Sequence, residues 1–216
     1  MVSLPFENRE EAGRLLAAAV APEVRDGGAV VAALPRGGIP VAREVAQALG
    51  APLDVALVRK LGVPGQEELA FGAIASEGQQ FIDQVLVEVL QLTPAVVQEV
   101  VREQEAELER RERLYRSGRE PVPVQGRTVI LVDDGMATGS TMIVAIRAQR
   151  QRGAARIIVA VPVASRQAVN ACRAEGAECI CLAAPHPFHA VGQWYEDFTQ
   201  VSDQEVQRTL NAAQAA

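Results

Sequence analysis

The stretch from Val129 to Met142, VILVDDGMATGSTM, constrains the fold of this chain more than any other. It opens with four apolar residues, three of them β-branched, a composition typical of a buried parallel strand. Two acids, Asp133 and Asp134, follow at once at what should be an exposed strand edge, and small residues then lead into a helical apolar pattern. A small-residue loop at a helix start presents backbone amides and the positive helix end to an anion. The stretch therefore predicts a strand–loop–helix unit with a phosphate site at Ala137, Thr138, Gly139, Ser140 and Thr141.

The two acids need a partner other than the phosphate, because a carboxylate repels it. A sugar phosphate meets both needs, since its hydroxyls suit the acids and its phosphate suits the loop. The chain here resembles the type I phosphoribosyltransferases, whose fingerprint of four apolar residues, two acids and a Thr/Gly-rich loop matches VILVDDGMATGST. The resemblance implies that Asp133 and Asp134 hold the ribose of phosphoribosyl pyrophosphate (PRPP), with its 5-phosphate on residues 137–141. A plain strand–turn–helix, or another phosphate-binding α/β protein, is the alternative that a short motif leaves open.

A second strand–loop–helix unit lies nearer the N-terminus. Residues 29–34 form an unbroken apolar run typical of a buried strand, and PRGGIP precedes an amphipathic helix expected from about Val41 to Leu49. In the resembled family a loop at this place holds the pyrophosphate of PRPP, a role that falls here to Arg36, Gly37 and Gly38. Family members commonly carry a cis peptide in this loop, so the resemblance predicts one between Pro35 and Arg36.

The apolar run from Pro52 to Val58 predicts another strand of the main sheet, ending in Arg59 and Lys60, the single lysine of the chain. Because ligands bind at the carboxyl edge of α/β sheets, both cations are candidates for the pyrophosphate site; a solvated strand end is the alternative. The Gly- and Pro-rich segment that follows predicts a mobile loop, which in the family closes over the active site. A hairpin with its turn at Glu77-Gly78 should follow.

The expected fold class is α/β: a mainly parallel sheet with helices on both faces and a small C-terminal hood. We expect a core domain at residues 1–182, with a charged helical insertion at about 93–118, and a hood segment at 183–216. The insertion begins with a cap residue and a proline, Thr93-Pro94, and its narrow apolar stripe suits an arm along one edge or a subunit contact. Further predicted elements are a helix over 6–24, a strand over 156–161, a helix over 165–174, a strand over 178–182 and a helix from 202.

Aromatic residues are scarce, at 4% of the chain, yet several of them cluster between Ala183 and Phe198. A loop-rich aromatic segment after the last strand suits a lid over a flat ring, and in the family this hood binds the nucleobase. The resemblance gives Phe188, Val191 and Trp194 as base contacts. A terminal loop that its aromatics pin to the core fits the pattern equally well.

Composition excludes several other classes of protein. A formal net charge of −6 argues against nucleic acid as a partner, which would need a basic face. The absence of a signal pattern and of any apolar run near ~20 residues predicts a cytoplasmic protein without membrane contact. The cysteines are odd in number and lack C-x-x-C spacing, so we expect reduced thiols. Two histidines exclude a multi-histidine metal site.

The implied reaction is transfer of the 5-phosphoribosyl group from PRPP to a small nitrogenous base, with release of pyrophosphate. Asp133 and Asp134 would act on the ribose, and Arg36 and Lys60 on the leaving pyrophosphate. Mg²⁺ is the implied cofactor; PRPP supplies most of its ligands, so no direct protein ligand is expected and the two acids would be outer-sphere at most. A PRPP-sensing regulator without catalysis and a generic sugar-phosphate or nucleotide-binding protein are the alternatives. A homo-oligomer is compatible with the resemblance.

One position bears on the choice of base. Members that act on 6-oxopurines carry an acid inside the PRPP loop, where this chain has Ala137, which exchanges no proton. The candidates for a general base are then Glu67, Glu68 and His189. The sequence predicts that hypoxanthine and guanine are poor acceptors.

Overall fold

A parallel β-sheet forms the centre of the computed structural model, which describes residues 2–24, 28–76 and 78–213, apart from the side chains of Glu67 and Glu68. The strands are β1 (Val30–Ala33), β2 (Leu53–Val55), β3 (Val58–Val63), β4 (Gln66–Ala75), β5 (Gln79–Ile82), β6 (Thr128–Val132), β7 (Arg156–Val163) and β8 (Glu178–Ala183). The parallel sheet has the order β2-β1-β6-β7-β8. Strands β3, β4 and β5 form a separate antiparallel sheet.

Helices cover both faces of the parallel sheet. They are α1 (Arg9–Val20), α2 (Gly38–Leu49), α3 (Gln84–Val89), α4 (Pro94–Arg116), α5 (Ser140–Gln151), α6 (Arg166–Ala174) and α7 (Asp203–Ala213), with short 3₁₀ turns at Ala21–Glu23 and Val191–Trp194. Alternate residues of β1 point to opposite faces, because side chains alternate along a strand. Val31 packs with residues of α1, α2 and α7, whereas Val30 packs with residues of α5 and α6. The predicted α/β class, with a mainly parallel sheet and helices on both faces, is confirmed.

The direction in which the chain winds reverses between β1 and β6. From β1 the chain crosses through α2 to β2 on one side, and from β6 it crosses through α5 to β7 on the other. The two helices consequently lie on opposite faces of the sheet. In open α/β sheets such a reversal opens a crevice at the carboxyl ends of the strands, where ligands bind.

The strand predicted over residues 52–58 is wrong in its second half. Strand β2 ends at Val55, and the chain then leaves the parallel sheet: the amide of Ala56 still bonds to the carbonyl of Ala33, while the carbonyl of Leu57 accepts the amide of Ser76 next to β4. Arg59 and Lys60 therefore lie inside β3 of the antiparallel sheet, not at the carboxyl edge of the main sheet. The apolar run is continuous because both sheets bury it.

The Gly- and Pro-rich segment after Lys60 folds as a β-hairpin rather than as an irregular loop. Strands β3 and β4 pair antiparallel with register shifts near Gly62, and Gly65 turns the chain with φ +80°. The next turn, between β4 and β5, lies where the sequence predicts it, although Glu77 itself is outside the described residues. The β3–β4 hairpin packs against α5, the helix that follows the predicted phosphate loop at residues 137–141.

The charged helix α4 has the predicted boundaries. The Thr93 side chain accepts a hydrogen bond from the Val96 amide at its start, and Ser117 ends it in the left-handed conformation. It lies along α7 and β3, and Arg116 in its last turn pairs with the buried Asp54 of β2 at 2.5 Å. Among the described residues, no helix combines the length and apolar character that crossing a membrane requires.

The hood segment predicted over residues 183–216 divides into two parts within the described residues, which end at 213. The portion around Tyr195 packs with the N-terminal segment, where Phe6 and Tyr195 form a parallel bridge. Helix α7 instead packs against α2 and α4, with Val206 and Leu210 in the main core.

Candidate functional site

The two motif loops meet at the point where the winding reverses. Strands β1 and β6 are neighbours with Ala33 opposite Val132, so the loops that follow them begin side by side. The amide of Leu34 bonds to the carbonyl of Val132 at 2.8 Å and continues the sheet contact to the edge. The PRGG loop and the acid pair are at least 95 residues apart in sequence (38 to 133), and they share one crevice.

The glycines of the PRGG loop lie directly on the acids. A Cβ atom on Gly37 would be 2.0 Å from Oδ2 of Asp134, and one on Gly38 would be 2.7 Å from the carbonyl of Val132. Helix α2 begins at Gly38, earlier than the predicted Val41, so its first turn points into the crevice. The predicted cis peptide between Pro35 and Arg36 is present.

The acid pair is more enclosed than a free strand edge would be, which corrects the expectation of exposed carboxylates. Asp134 is 8% exposed, and its Oδ2 accepts a hydrogen bond from Arg9 Nε at 2.8 Å. Oδ1 of Asp133 accepts the amide of Asp134 at 2.8 Å. Burial and the neighbouring Asp134 charge raise the pKa of Asp133 well above its ordinary value. Burial also raises the pKa of Asp134, against the opposing effect of Arg9.

The predicted phosphate loop, residues 137–141, runs directly into the start of α5. Gly139 adopts φ +79°, which a side chain rarely tolerates, and immediately precedes the first residue of α5. Ser165 steadies the loop from α6 by donating its hydroxyl to the carbonyl of Ala137 at 2.6 Å. Ala137 and Thr138 are exposed. The first-turn amides of a helix lack intrahelical partners, so this loop has the form of an anion site.

The two cations of β3 differ in what they contact. Arg59 is engaged by α4, since its Nε and Nη2 donate to Gln104 Oε1 at 2.9 and 2.6 Å. Burial first, and then the nearby Arg111 charge, lower the pKa of Arg59. Lys60 lines two clefts of about 570 and 680 Å³, which also border Thr141 on one side and Thr138 and Ser140 on the other. The structure thus brings Lys60 beside the predicted 5-phosphate loop.

Arg36 points toward α7. Its Nη1 lies 3.7 Å from Oδ1 of Asp203, the first residue of α7, and the same oxygen accepts the Tyr115 hydroxyl at 2.6 Å. Burial and then this hydrogen bond raise the pKa of Tyr115 to about 12, so the phenol remains a donor at neutral pH. No sequence pattern indicates this contact, because its three residues lie on different elements.

The predicted base contacts of the hood differ in their distance from the acid loop. Val191 lies against the motif loop: a Cβ on Gly135 would be 2.6 Å from Val191 Cγ1. Phe188 and Trp194 lie with ring centroids 6.0 Å apart and pack on the Phe6–Tyr195 cluster. His189 is exposed. Of the three predicted base contacts, Val191 is the one that the structure brings to the acid loop.

Arg9 and Tyr195 are the site residues that sequence reasoning missed. Arg9 contacts Asp134 across 125 positions, and the Tyr195 hydroxyl donates to the Asp134 carbonyl at 2.6 Å. The sequence offered one signal for Arg9, its position at the start of an amphipathic helix. An arginine at such a position most often lies on the solvated face of the helix. Only the packing of α1 on α2, β7 and β8 brings Arg9 to the crevice.

Over the described ranges, no three Asp, Glu, His or Cys side chains are grouped as a metal cage would require. Asp134 already has an oxygen engaged by Arg9, and Asp133 is the more exposed acid of the pair. An outer-sphere role of the two acids toward Mg²⁺ therefore stays a prediction.

Comparison with known proteins gives the chain its family. The phosphoribosyl transferase domain model matches residues 7–192. The chain belongs to the phosphoribosyl transferase domain family. Within it, a Mycobacterium tuberculosis protein named as a phosphoribosyl transferase is 46% identical over 208 residues, found in two strains. These residues are 96% of this chain and 47% of the relative, so the chain spans about half the length of the curated relatives it matches.

Two further similarities are to a solved structure and, over a short stretch, to a kinase. The crystal structure of TT1426 from Thermus thermophilus superposes with a TM-score of 0.85 and 41% identity, over 96% of this chain and 98% of that one. A ribose-phosphate pyrophosphokinase of Methanopyrus kandleri is 43% identical over 72 residues, which are 32% of this chain and 25% of the kinase. The type I phosphoribosyltransferase fold is thereby confirmed.

Proposed function

We propose that this phosphoribosyl transferase moves the 5-phosphoribosyl group from PRPP to a nitrogenous base and releases pyrophosphate. The observation that carries the proposal is the contact of the PRGG loop with the acid pair, since Gly37 and Gly38 leave no space between their backbone and Asp133 and Asp134. A pyrophosphate site and a ribose site that touch in this way suit one ligand carrying both groups. The local likeness to a ribose-phosphate pyrophosphokinase, whose name concerns the same two groups, supports this ligand.

Each part of the crevice has a role in the proposed reaction. The ribose C1 gains oxocarbenium character as pyrophosphate departs, as in glycoside chemistry. Asp133 and Asp134 accept hydrogen bonds from the ribose hydroxyls, and the backbone of residues 137–141 holds the 5-phosphate. Arg36 and the amides of Gly37 and Gly38 stabilise charge on the leaving pyrophosphate, which is the charge that develops in the transition state.

Lys60 takes a role at the 5-phosphate. It lines the clefts beside Thr138, Ser140 and Thr141, and its ammonium is a mobile point charge on a long stem. Its hairpin packs on α5, the helix that follows residues 137–141. Arg59, held by Gln104, serves in this proposal to fix the hairpin to α4 and reaches the pyrophosphate only if that contact opens.

Mg²⁺ bound to PRPP would neutralise pyrophosphate charge as a Lewis acid. On the protein side, Arg9 binds one carboxylate oxygen of Asp134. Asp133, the more exposed of the two acids, would be the one that meets the ligand. The base would lie beside the acid loop, with Val191 as its hood contact.

The test is pyrophosphate release from PRPP with a panel of purine and pyrimidine bases. Asp133→Asn should lower turnover by about a hundredfold or more, because ribose contacts act in the transition state. Glu109→Gln, on the exposed surface of α4, is the matched control and should behave as the parent. Calorimetry should show PRPP binding that depends on Mg²⁺. Binding without turnover of any base would favour a PRPP-sensing regulator, and no binding would refute the proposal.

A further inference from the structure

Arg9 is enclosed on three sides at the acid pair. It begins α1 and is 7% exposed, an unusual burial for an arginine. Its Nε donates to Asp134 Oδ2 at 2.8 Å, and its Nη1 donates to the carbonyl of Thr199 at 2.8 Å. The guanidinium carbon stands 3.9 Å from the ring centroid of Phe198, in cation–π contact. Two distant parts of the chain, Asp134 and residues 198–199, therefore fix this side chain.

The backbone of Asp134 is fixed from the same side. The Tyr195 hydroxyl donates to the carbonyl of Asp134 at 2.6 Å, and Tyr195 packs on Phe6 at 5.5 Å and on Phe198 at 5.2 Å between ring centroids. Burial raises the pKa of Tyr195, so its hydroxyl keeps the proton that this bond needs. The carboxylate and the carbonyl of one residue are thus both held by the N-terminal segment and residues 195–199.

Stability alone is a weak reason for such an ion pair. Taking two charges out of water is expensive, and well-packed apolar residues often replace a buried pair without loss. Two neighbouring carboxylates, Asp133 and Asp134, also disfavour each other's ionised form, which a nearby arginine counteracts. Arginine offers a planar, fixed set of donors, so it orients a carboxylate as well as balancing its charge.

We propose that Arg9 is a positioning residue, which orients the Asp134 carboxylate toward the ribose hydroxyls of PRPP and links the sugar site to the 195–199 segment. This inference rests on the proposed function, because the ribose is the ligand that Asp134 would meet. Arg9 touches no reacting atom. It acts through Asp134. The Phe198 ring holds the Arg9 guanidinium in place, and the Tyr195 hydroxyl holds the Asp134 backbone.

The experiment compares Arg9→Gln and Arg9→Lys with the parent and with Arg14→Gln, an exposed arginine on the same helix. We expect Arg9→Gln to raise the KM or Kd for Mg²⁺–PRPP by about tenfold or more, the loss typical of a hydrogen bond to a charged group. Arg9→Lys should recover part of the affinity, and Arg14→Gln should match the parent. Melting curves establish that each variant is folded.

The pH profile of kcat/KM, or of PRPP binding, separates positioning from a purely structural role. The charged and titratable groups around Arg9 are Asp133, Asp134, Tyr195 and Asp197. Because Arg9 favours the ionised form of Asp134, its loss should move the acid limb to higher pH. The control Arg14→Gln leaves those four groups unchanged and should not move the limb.

The outcomes are distinguishable. A parent that fails to bind Mg²⁺–PRPP refutes the proposed function, and this inference with it. A folded Arg9→Gln with parental PRPP affinity and an unshifted acid limb refutes the role of Arg9 alone. If Arg9→Gln does not fold, Phe198→Leu decides: it removes the ring beneath the guanidinium, and we expect weaker PRPP binding in the same direction, whereas parental binding would overturn the inference.

Discussion

The carboxylate of Asp134 fills the space that a side chain at Gly37 would need. A Cβ on residue 37 would lie 2.0 Å from Oδ2 and 2.6 Å from Cγ of Asp134. The backbone of Gly37 is ordinary, with φ −59° and ψ −34°, so its conformation alone would accept any residue. Glycine is therefore required here for proximity, and the PRGG loop and the acid pair are built as one unit.

This contact predicts the effect of Gly37→Ala. The added methyl group displaces the Asp134 carboxylate and breaks its pair with Arg9, so we expect a loss of about 3 kcal/mol of unfolding free energy and weaker PRPP binding. Gly50→Ala is the control, since Gly50 has φ +57° and open space around it. It should cost about 1 kcal/mol through backbone strain and leave binding unchanged. Urea unfolding and calorimetry measure both; equal binding losses in the two variants would contradict the contact.

The two acids of the motif should respond oppositely to neutralisation. Asp134→Asn leaves the buried Arg9 without its anion and should lower the free energy of unfolding by about 3 kcal/mol. Asp133→Asn removes a charge that is desolvated and repelled by Asp134, and the new amide oxygen still accepts the Asp134 N–H. The substitution should therefore raise the free energy of unfolding by about 1 kcal/mol at pH 7. Urea unfolding of the single variants checks this. Equal destabilisation by both would show that the environments do not differ as described.

The raised pKa of Asp133 also predicts a pH dependence of stability. A carboxyl whose pKa is higher in the folded state binds its proton more tightly there, so its contribution to stability decreases as pH rises from the ordinary value of about 4 through the raised value. The melting temperature of Asp133→Asn minus that of the parent should therefore be largest above the raised pKa and shrink on acidification. A difference that is constant with pH would contradict this prediction.

Strand–loop–helix units were predictable because their signals are local. An apolar run, small loop residues and a helical period located β1, β6 and the helices after them within a few residues, and Thr93-Pro94 located the start of α4. Arg59 and Lys60 were misplaced because the apolar run of residues 52–58 passes between two buried sheets without a polar break. Arg9 was missed because its partner lies 125 residues away, and no local period encodes such a contact.

A small cavity beside Arg116, at the end of α4, predicts an ordered water molecule. Among the described residues, four buried side-chain polar atoms lack a protein hydrogen-bond partner, and three of them, Ser76 Oγ, Gln79 Oε1 and Arg116 Nε, belong to residues that line this cavity. The cavity offers about 10 Å³ to the centre of a water molecule, roughly what one water needs. A water there would accept from Arg116 and Ser76 and donate to Gln79. A high-resolution crystal structure should show it; an empty cavity, or direct contact between Ser76 and Gln79, would contradict the prediction.

The last prediction concerns the acceptor base and depends on Ala137. Its side chain is exposed in the loop and its carbonyl is occupied by the Ser165 hydroxyl, so the residue offers no group that exchanges a proton with a purine ring. Of the other candidates for a general base, His189 is an exposed residue of the hood, and the side chains of Glu67 and Glu68 lie outside the described structure. Members of the family that act on 6-oxopurines carry an acid at this loop position, so hypoxanthine and guanine should be poor acceptors. Steady-state assays with both bases, beside adenine and a pyrimidine panel, measure this directly. A kcat/KM above ~10⁴ M⁻¹s⁻¹ for either 6-oxopurine, the low end of the usual enzyme range, would show that proton transfer does not depend on an acid at residue 137.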